Sequence, residues 1–233
     1  MHDVHMGSTM ASTIGAYFDL DGTIITCSSE GELAKRVYKS KSIIKKPILL
    51  GRWLTSSAFR LLTGYSFYDA VRNRQYLAGT SWSKIEELSK EISKSHLVEH
   101  ISDDALKQIQ WHKSQGHRLV MVTATLWPLA KPIAEKLGFD EYYASDVPLT
   151  PSGQVKGTEK GKMIPRRKGK IEVVEKDAKE NNIDLSKSWG YGNSKADTYF
   201  MQLCGNPITI NPTNPMNNYS KKNNWDIKYW KLE

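Results

Sequence analysis

The sequence predicts an α/β protein with a doubly wound parallel sheet and an inserted helical subdomain. Short apolar runs of strand type alternate with helix-length segments along most of the chain, which is the pattern of β-α-β units. The run at residues 118–123 (RLVMVT) is almost continuously apolar, as expected for a strand covered on both faces. The helical block between residues 24 and 100 is too long for a loop, so we expect it to form a subdomain of its own.

The first half of the chain contains one predicted strand followed by helices. The strand is predicted at residues 14–19, where an apolar and aromatic run ends at Asp-Gly. Helices are predicted over residues 29–46, 48–62, 68–77 and 81–96. Pro47 is expected to break the first two apart, and Gly79 lies before the last. Ser81 suits the N-cap position of that last helix.

The second half alternates helices and strands. A helix is predicted at residues 103–114, a strand at 118–123 and a helix at 129–137 that stops at Gly138. Residues 142–155 are expected to form short strands around a Pro-Ser-Gly turn. A basic loop then leads to a helix at 170–181, a strand ending at Tyr191, a helix at 194–203 and a strand at 207–210. The Asn-rich residues 211–224 are predicted to be a polar connection.

These elements divide the chain into two predicted domains. Residues 14–24 and 100–233 are expected to form the α/β core, and residues 25–99 a helical cap inserted after the first strand. Ligands of open α/β sheets bind at the carboxyl ends of the strands, so we expect the cap to cover that edge.

Composition excludes several classes of protein. The 233 residues are 39% hydrophobic and 25% charged, which is typical of a soluble globular chain. No 18-residue window is uncharged and apolar, which excludes a membrane-spanning helix, and the N-terminal residues lack the pattern of a secretion signal. Cys27 and Cys204 cannot build a disulfide framework, and no Cys/His group has the sequence spacing of a zinc site. We therefore expect a cytoplasmic protein.

Positive charge is concentrated in one segment. The net charge is +8, and residues 33–68 contain eight Lys or Arg and no Asp or Glu. Such a segment suits phosphate-bearing ligands, nucleic acid or an anionic membrane face, or else it is a solvated helical face. Basic residues stand beside Trp53, Phe59 and several leucines, which also suits a helix lying on an anionic interface. The alternative is a cap helix that buries this apolar face on its neighbours.

A pair of carboxylates follows the first predicted strand. Asp19 and Asp21 stand at alternate positions and are followed by Gly22 and Thr23. Alternation aims the two side chains in different directions, so they can take separate roles, such as nucleophile and acid/base. A plain Asp-Gly turn explains neither Asp19 nor the threonine.

The motif resembles the DxDGT pattern of the haloacid dehalogenase (HAD) superfamily of phosphatases, and three further motifs follow in the family's order. Thr123 lies at the end of an apolar strand, Lys170 at the start of a helix, and residues 192–197 resemble the GDxxxD motif. In this last motif the second acid is Asp197, but the first position holds Asn193. The resemblance covers residues 17–212, and the helical insert is similar to the subclass that includes phosphoserine phosphatase.

The resemblance implies an Mg²⁺-dependent phosphomonoesterase that forms an aspartyl-phosphate. Asp19 would be the nucleophile and Asp21 the general acid and base. Thr123 would hold phosphate oxygens and Lys170 would offset their charge. Mg²⁺ would be bound by Asp19, by the backbone carbonyl of Asp21 and by the fourth motif, whose candidate ligands are Asn193 and Asp197.

Asn193 and the substrate are the open points. An amide oxygen can bind Mg²⁺ but brings no charge, so the chain is a natural enzyme with weaker metal binding, an engineered substrate trap or a non-catalytic relative. We favour a working enzyme on a small phosphometabolite. The phosphoserine phosphatases that this chain resembles place a substrate-binding Glu nine residues after the nucleophile. This chain has Ser28 there and Glu30 two residues later, a mismatch that argues against phosphoserine without excluding it.

A lipid phosphate, hydrolysed at the membrane surface by an enzyme of the phosphatidylglycerophosphatase type, is the alternative substrate. It would bring peripheral contact with an anionic membrane. A non-catalytic phosphate- or membrane-binding protein is the alternative from a different class. We expect no nucleic-acid ligand and no obligate protein partner.

Overall fold

The central sheet has six parallel strands in the order β3-β2-β1-β4-β5-β6. The computed structural model describes residues 13–64, 73–157 and 166–231, and the statements below concern these residues. This order confirms the predicted doubly wound α/β fold. The strands are β1 (Gly15–Phe18), β2 (Arg118–Leu126), β3 (Glu141–Ser145), β4 (Trp189–Gly192), β5 (Asn206–Ile210) and β6 (Asp226–Lys228).

Eight α-helices surround the sheet in the described part of the chain. A 3₁₀ turn at Arg74–Leu77 precedes α3, and a π turn at Ser93–Leu97 and a 3₁₀ turn at Val98–His100 extend it. Between β1 and α4 the described chain consists of helices and turns. The helices are α1 (Ser29–Ser40), α2 (Lys45–Leu62), α3 (Trp82–Ile92), α4 (Asp103–Ser114), α5 (Trp127–Leu137), α6 (Lys168–Glu180), α7 (Thr198–Met201) and α8 (Asn214–Lys222).

Both faces of the sheet are buried. Successive strand residues point to opposite sides of the sheet, and those on each side belong to a buried cluster. Phe18 belongs to one core cluster together with Met121 and Tyr191, and its ring stacks on Tyr191 with the centroids 4.3 Å apart. Tyr17, the preceding residue, belongs to the cluster on the other face with Val120. This double burial explains the nearly uninterrupted apolar sequence of the central strands.

The strand order reverses between β1 and β4. The chain runs outward through β2 and β3 on one side of β1 and through β4, β5 and β6 on the other. Such a reversal leaves a crevice at the carboxyl ends of the two central strands, where ligands of open α/β sheets bind. The sequence motifs around Asp19 and Asn193 follow these two strands directly.

The predicted helix break at Pro47 is wrong. The structure ends α1 at Ser40 and begins α2 at Lys45, so Pro47 lies in the first turn of α2. A first-turn residue makes no intrahelical N–H bond, so proline is tolerated there. The break lies instead at residues 41–44. The predicted helix at 68–77 lies partly outside the described residues, and its described end is the 3₁₀ turn Arg74–Leu77.

The C-terminal region also differs from the prediction. The predicted polar connection at 211–224 contains α8, which begins at Asn214-Pro215 and buries Met216 and Ser220, and β6 follows as an edge strand. Only two of the helix's nine residues are buried, so its apolar periodicity is too weak to detect. The predicted helix at 194–203 is shortened to α7, because the Asp197 side chain binds the backbone of residues 193 and 194.

No helix in the described ranges is both long and apolar enough to cross a membrane.

Candidate active site

Asp19 stands at the carboxyl end of β1, next to β4. It directly follows Phe18, and its backbone N–H donates to the Tyr191 carbonyl at 2.9 Å. Its side chain is buried, with 8% of the residue exposed. Strand pairing on both sides of β1 therefore fixes the backbone that carries this carboxylate.

Lys170 joins two of the predicted site carboxylates. It is the third residue of α6, and its Nζ donates to Asp19 Oδ1 at 2.7 Å and to Asp197 Oδ1 at 2.6 Å. All three side chains are buried, and Lys170 Nζ also lies 5.2 Å from the centre of the Phe200 ring. Asp19 lies 151 positions from Lys170 in the chain and Asp197 lies 27 positions from it, yet the three residues form one charged cluster.

The cluster shifts the pKa values of its members. Burial, and then the charge of Asp197, raises the pKa of Asp19 to about 7, although Lys170 acts in the opposite direction. Burial disfavours the Lys170 ammonium, but Asp19 and Asp197 outweigh it and keep the pKa of Lys170 above its ordinary value. The site therefore holds a fixed positive charge beside a carboxylate that needs further positive charge to stay ionised at neutral pH.

Asp197 organises the loop after β4. Its Oδ2 accepts hydrogen bonds from the Ser194 N–H at 2.9 Å, the Ser194 hydroxyl at 2.8 Å and the Asn193 N–H at 3.2 Å, while Oδ1 accepts from Lys170. Gly192 is required by close packing, because a Cβ there would lie 2.4 Å from the Asp197 Cβ. These contacts favour a positioning role for Asp197, and its predicted role as a direct metal ligand stays a prediction.

Asn193 packs against the turn that follows Asp21. A Cβ on Gly22 would lie 2.0 Å from Asn193 Nδ2, and Gly22 has φ +76°, a backbone conformation that favours glycine. Gly22 therefore admits the Asn193 amide beside the first motif. The structure places both predicted motifs, after β1 and after β4, side by side.

The Asp21 side chain contacts the start of α1 and strand β2. Its carboxylate accepts hydrogen bonds from the Ser29 N–H at 3.2 Å, the Ser29 hydroxyl at 2.9 Å and the Thr125 hydroxyl at 3.3 Å. Sequence reasoning did not single out Ser29 or Thr125 as site residues. Thr125 could have been found as the alternate-residue neighbour of Thr123, whereas nothing local to the sequence indicates Ser29.

Thr123 lies within a bulged part of β2 rather than at its end. Val122 pairs with Tyr143 and Leu126 with Ser145, so three residues of β2 face one of β3. The Thr123 side chain is buried, and its hydroxyl accepts a hydrogen bond from the Thr125 N–H at 3.2 Å. Since Phe18 pairs with Met121, Thr123 lies beside the segment that begins with Asp19.

Arg74 is a third residue that sequence reasoning missed. Its guanidinium is ion-paired with Glu30 of α1 and donates to the Ala124 carbonyl at 2.6 Å, within the β2 bulge. Burial disfavours the charged Arg74, but Glu30 outweighs it and holds the pKa above its ordinary value. A charged pair from the helical segment thus lies directly against the strand that carries Thr123.

The site therefore combines strand-end carboxylates and a buried lysine at the carboxyl edge of a doubly wound sheet. A family model for haloacid dehalogenase-like hydrolases matches residues 16–202, and the chain belongs to this family, as a phosphatase. The match covers both strand-end motifs and Lys170.

Comparisons with individual proteins agree with this assignment. The chain is 26% identical over 217 residues to the "Inhibition of morphological differentiation protein" of Streptomyces azureus (91% of this chain, 76% of that protein). It is 23% identical over 227 residues to the phosphoserine phosphatase SerB1 of Mycobacterium tuberculosis (94% and 72%). A solved structure described as a phospho-aspartyl intermediate analogue of phosphoserine phosphatase has the same fold, with a TM-score of 0.65, 19% identity and 95% coverage of both chains.

Proposed function

We propose that the protein hydrolyses small phosphomonoesters with Mg²⁺ through an aspartyl-phosphate on Asp19. The observation that carries the proposal is the contact of Lys170 Nζ with both Asp19 and Asp197 at the carboxyl edge of the sheet. A buried carboxylate held by strand pairing and supported by a buried ammonium suits a nucleophile that receives a dianionic phosphoryl group.

Asp19 and Asp21 would divide the chemistry between them. An Asp19 oxygen attacks phosphorus, the ester oxygen leaves, and Asp21 gives that oxygen a proton. Asp21 then takes a proton from the water that cleaves the aspartyl-phosphate. Ser29 and Thr125 orient Asp21 for both transfers, Thr123 binds a phosphoryl oxygen, and Lys170 offsets the negative charge.

The residues at this edge suit Mg²⁺. Asp19, Asp21 and Asn193 each carry an oxygen donor of the kind that Mg²⁺ prefers, and Gly22 lets the Asn193 amide, with its Nδ2 nearest, lie beside the first motif. Burial raises the pKa of Asp19, as do the charges of Asp197 and Asp21, while Lys170 lowers it, so a further positive charge beside Asp19 would be favourable. Bound Mg²⁺ would keep Asp19 ionised and neutralise phosphoryl oxygens.

The helical residues 25–99 would act as the cap that selects the substrate. Glu30 and Arg74 from this segment form an ion pair that also touches the β2 bulge. A substrate with both an ammonium and a carboxylate can exchange partners with such a pair, which favours amino-acid phosphates. We therefore propose phosphoserine-like substrates. Turnover of phosphoserine, compared with turnover of histidinol phosphate and glycerol phosphate, tests this preference.

Phosphatase assays of two matched variants test the catalytic proposal. Asp19→Asn should lower turnover of 4-nitrophenyl phosphate with Mg²⁺ on the order of 10³-fold or more, because an amide cannot attack phosphorus. Asp226→Asn, at an exposed aspartate of the edge strand β6, should keep wild-type activity. Mass spectrometry of acid-quenched enzyme should find a phosphoryl group on Asp19. Near-normal activity of the Asp19 variant would remove Asp19 from its role.

A second proposal concerns the outward face of α2. Leu49, Trp53 and Ser57 recur every four residues and face the protein, with Leu49 and Ser57 buried. The opposite side of the helix carries Ile48, 59% exposed, and Leu62, 87% exposed. The helix therefore turns an apolar face away from the protein. The residues at the positions of this exposed face are Ile44, Ile48, Gly51, Thr55, Ala58 and Leu62, with Phe59 beside them.

An anionic membrane surface is the occupant that this face suits. Residues 33–68 carry eight positive and no negative charges, so a second copy docking through the same face would meet like charge. A helix of 18 residues, about 27 Å long, with apolar side chains outward and a sequence rich in basic residues, lies readily in a lipid interface. The enzyme would then also meet lipid phosphates.

Vesicle co-sedimentation tests the membrane proposal. The protein should bind vesicles of phosphatidylglycerol and phosphatidylcholine and be released by high salt, while pure phosphatidylcholine should bind much less. Ile48→Asn combined with Phe59→Ser should lose most of this binding, and Tyr229→Ser, at a residue 66% exposed on another surface, should not. Equal binding to both vesicles, no binding, or a dimer that the α2 variant abolishes contradicts the proposal.

A further inference from the structure

A cysteine and two histidines come together at the junction between the core and the helical segment. Cys27, His96 and His100 each offer one ligand atom, and these three atoms lie within 4.8 Å of one another. All three residues are partly exposed, so an ion can reach them from water. Cys27 is 69 positions before His96, which is why no sequence spacing indicated the group.

A hydrogen bond prepares His100 to bind a metal. Its Nδ1 lies 2.8 Å from the His96 carbonyl oxygen, which can only accept, so Nδ1 carries the hydrogen. The lone pair is then on Nε2. Donation from the other ring nitrogen to a backbone carbonyl is the arrangement that orients metal-binding histidines in proteins. The His96 ring lies beside it, with the ring centroids 4.2 Å apart.

The surroundings of Cys27 favour a cation. Burial, followed by the charge of Asp21 and to a lesser degree that of Glu32, raises the pKa of the Cys27 thiol to about 11. The unliganded thiol is therefore protonated and not a reactive nucleophile. Asp21 and Glu32 place negative charge near the position where a positive ion would bind, and the charge of Lys35 offsets part of it.

We propose that Cys27, His96 and His100 form a site for a divalent transition-metal ion of the zinc type. Thiolate and neutral imidazole are the ligands such ions prefer, and three protein ligands leave a fourth position for water. On binding, the thiol gives its proton to solvent, a metal–sulfur bond and two metal–nitrogen bonds form, and no group is oxidised or reduced. Tetrahedral bond lengths require ligand atoms roughly 3.3–3.6 Å apart, so the three groups close slightly around the ion.

The site lies where the chain passes between β1 and the helical segment. The two crossings pair with each other, since the Thr26 N–H donates to the His100 carbonyl at 2.9 Å and the Ser102 N–H to the Ile24 carbonyl at 3.0 Å. A metal ion bound to Cys27 on one crossing and to the histidines on the other would fasten them together. It would also displace Cys27, two residues before the Ser29 that holds Asp21. We expect the bound ion to inhibit the phosphatase, a consequence that rests on the proposed function.

A cobalt titration tests the site without using activity. Co²⁺ is added to chelator-treated full-length protein in excess Mg²⁺, which occupies oxygen-donor sites. The wild type should develop tetrahedral Co²⁺ absorption with a thiolate-to-cobalt charge-transfer band at one equivalent. Cys27→Ser should lose the charge-transfer band, and His96→Gln and His100→Gln should each weaken binding tenfold or more. The matched control, Cys204→Ser, removes the buried cysteine outside the cluster and should behave like wild type.

The outcomes separate binding from its effect on catalysis. A charge-transfer band that survives in Cys27→Ser, or no tetrahedral absorption in the wild type, overturns the site. If the site forms, Zn²⁺ should lower turnover of 4-nitrophenyl phosphate in wild type and Cys204→Ser but not in Cys27→Ser. Equal inhibition of all three proteins overturns the inhibitory role. A chain without phosphatase activity contradicts the proposed function and leaves the absorption result intact.

Discussion

Asn193 shows how a single side chain sets the charge of the candidate metal site. It stands where the family's fourth motif has a carboxylate, and its amide packs against Gly22 beside the first motif. The neighbouring Asp197 is already engaged by Lys170 and by the Ser194 N–H and hydroxyl. The candidate site therefore has one formal negative charge fewer than the family's motif would give it, beside the turn that follows Asp21.

Restoring the carboxylate should strengthen metal binding. We predict that Asn193→Asp lowers the Mg²⁺ concentration needed for half-maximal phosphatase activity by roughly tenfold or more, which corresponds to about 1.4 kcal/mol. Turnover at saturating Mg²⁺ should rise or stay the same, because Lys170 and Asp197 are unchanged. Activity measured against Mg²⁺ concentration for both proteins checks this.

A charge-matched variant distinguishes a ligand from a general electrostatic effect. Gln202→Glu adds the same charge at an exposed residue on the amino side of β4, far from its carboxyl end. Its Mg²⁺ curve should coincide with that of the wild type. If the Asn193→Asp curve coincides as well, Asn193 does not bind the metal.

At the scale of elements, α4 is joined to the central strands by a buried histidine. The His112 ring lies against Phe18 and Tyr191, its Nε2 is 2.8 Å from the Tyr191 hydroxyl oxygen, and its Nδ1 is 2.8 Å from His117 Nδ1. Burial, followed by the charge of His117, lowers the pKa of His112 from 6.5 to about 3. The folded protein therefore holds this histidine neutral against β1, the strand that Asp19 follows.

This histidine makes folding stability depend on pH. Between pH about 6.5 and 3 the unfolded chain binds a proton at His112 that the folded chain does not, so stability falls as the pH falls through this window. The contribution of His112 is fully retained above pH 6.5. We predict a slope of up to about 1.4 kcal/mol per pH unit from this residue.

Urea unfolding at several pH values between 6.5 and 4.5 measures the effect. His112→Gln cannot take up a proton there, so its free energy of unfolding should fall less steeply with pH than that of the wild type, although it starts lower because the packing changes. Parallel slopes for the two proteins would show that His112 does not resist protonation in the folded state.

At the scale of the whole molecule, the sequence predicted the architecture well. The strands at β1, β2 and β5 and the helices at α4 and α6 follow from apolar runs and helical periodicity, which are local properties. The α8 helix and the β6 strand were not predicted, because edge elements bury few side chains and their apolar residues therefore show little periodicity. Pro47 was misread because a proline in the first turn looks like a break from the sequence alone.

The candidate site divides in the same way. Asp19, Lys170 and Asp197 could be named from their motifs, and the structure places them in contact. The hydrogen bonds of Ser29 and Thr125 to Asp21 and the ion pair of Arg74 with Glu30 carry no sequence motif. They bridge elements whose relative positions depend on packing.

The doubly wound sheet and the residue types at its carboxyl edge follow from the sequence, because strand periodicity and motif residues lie within a few neighbouring positions. Which face of α2 stays exposed and which distant side chains meet depend on how the elements pack in three dimensions. Cys27 joins His96 and His100 because the crossings between the core and the helical segment pair through Thr26 and Ser102. Such contacts arise from the packing of whole elements, which no short stretch of sequence specifies.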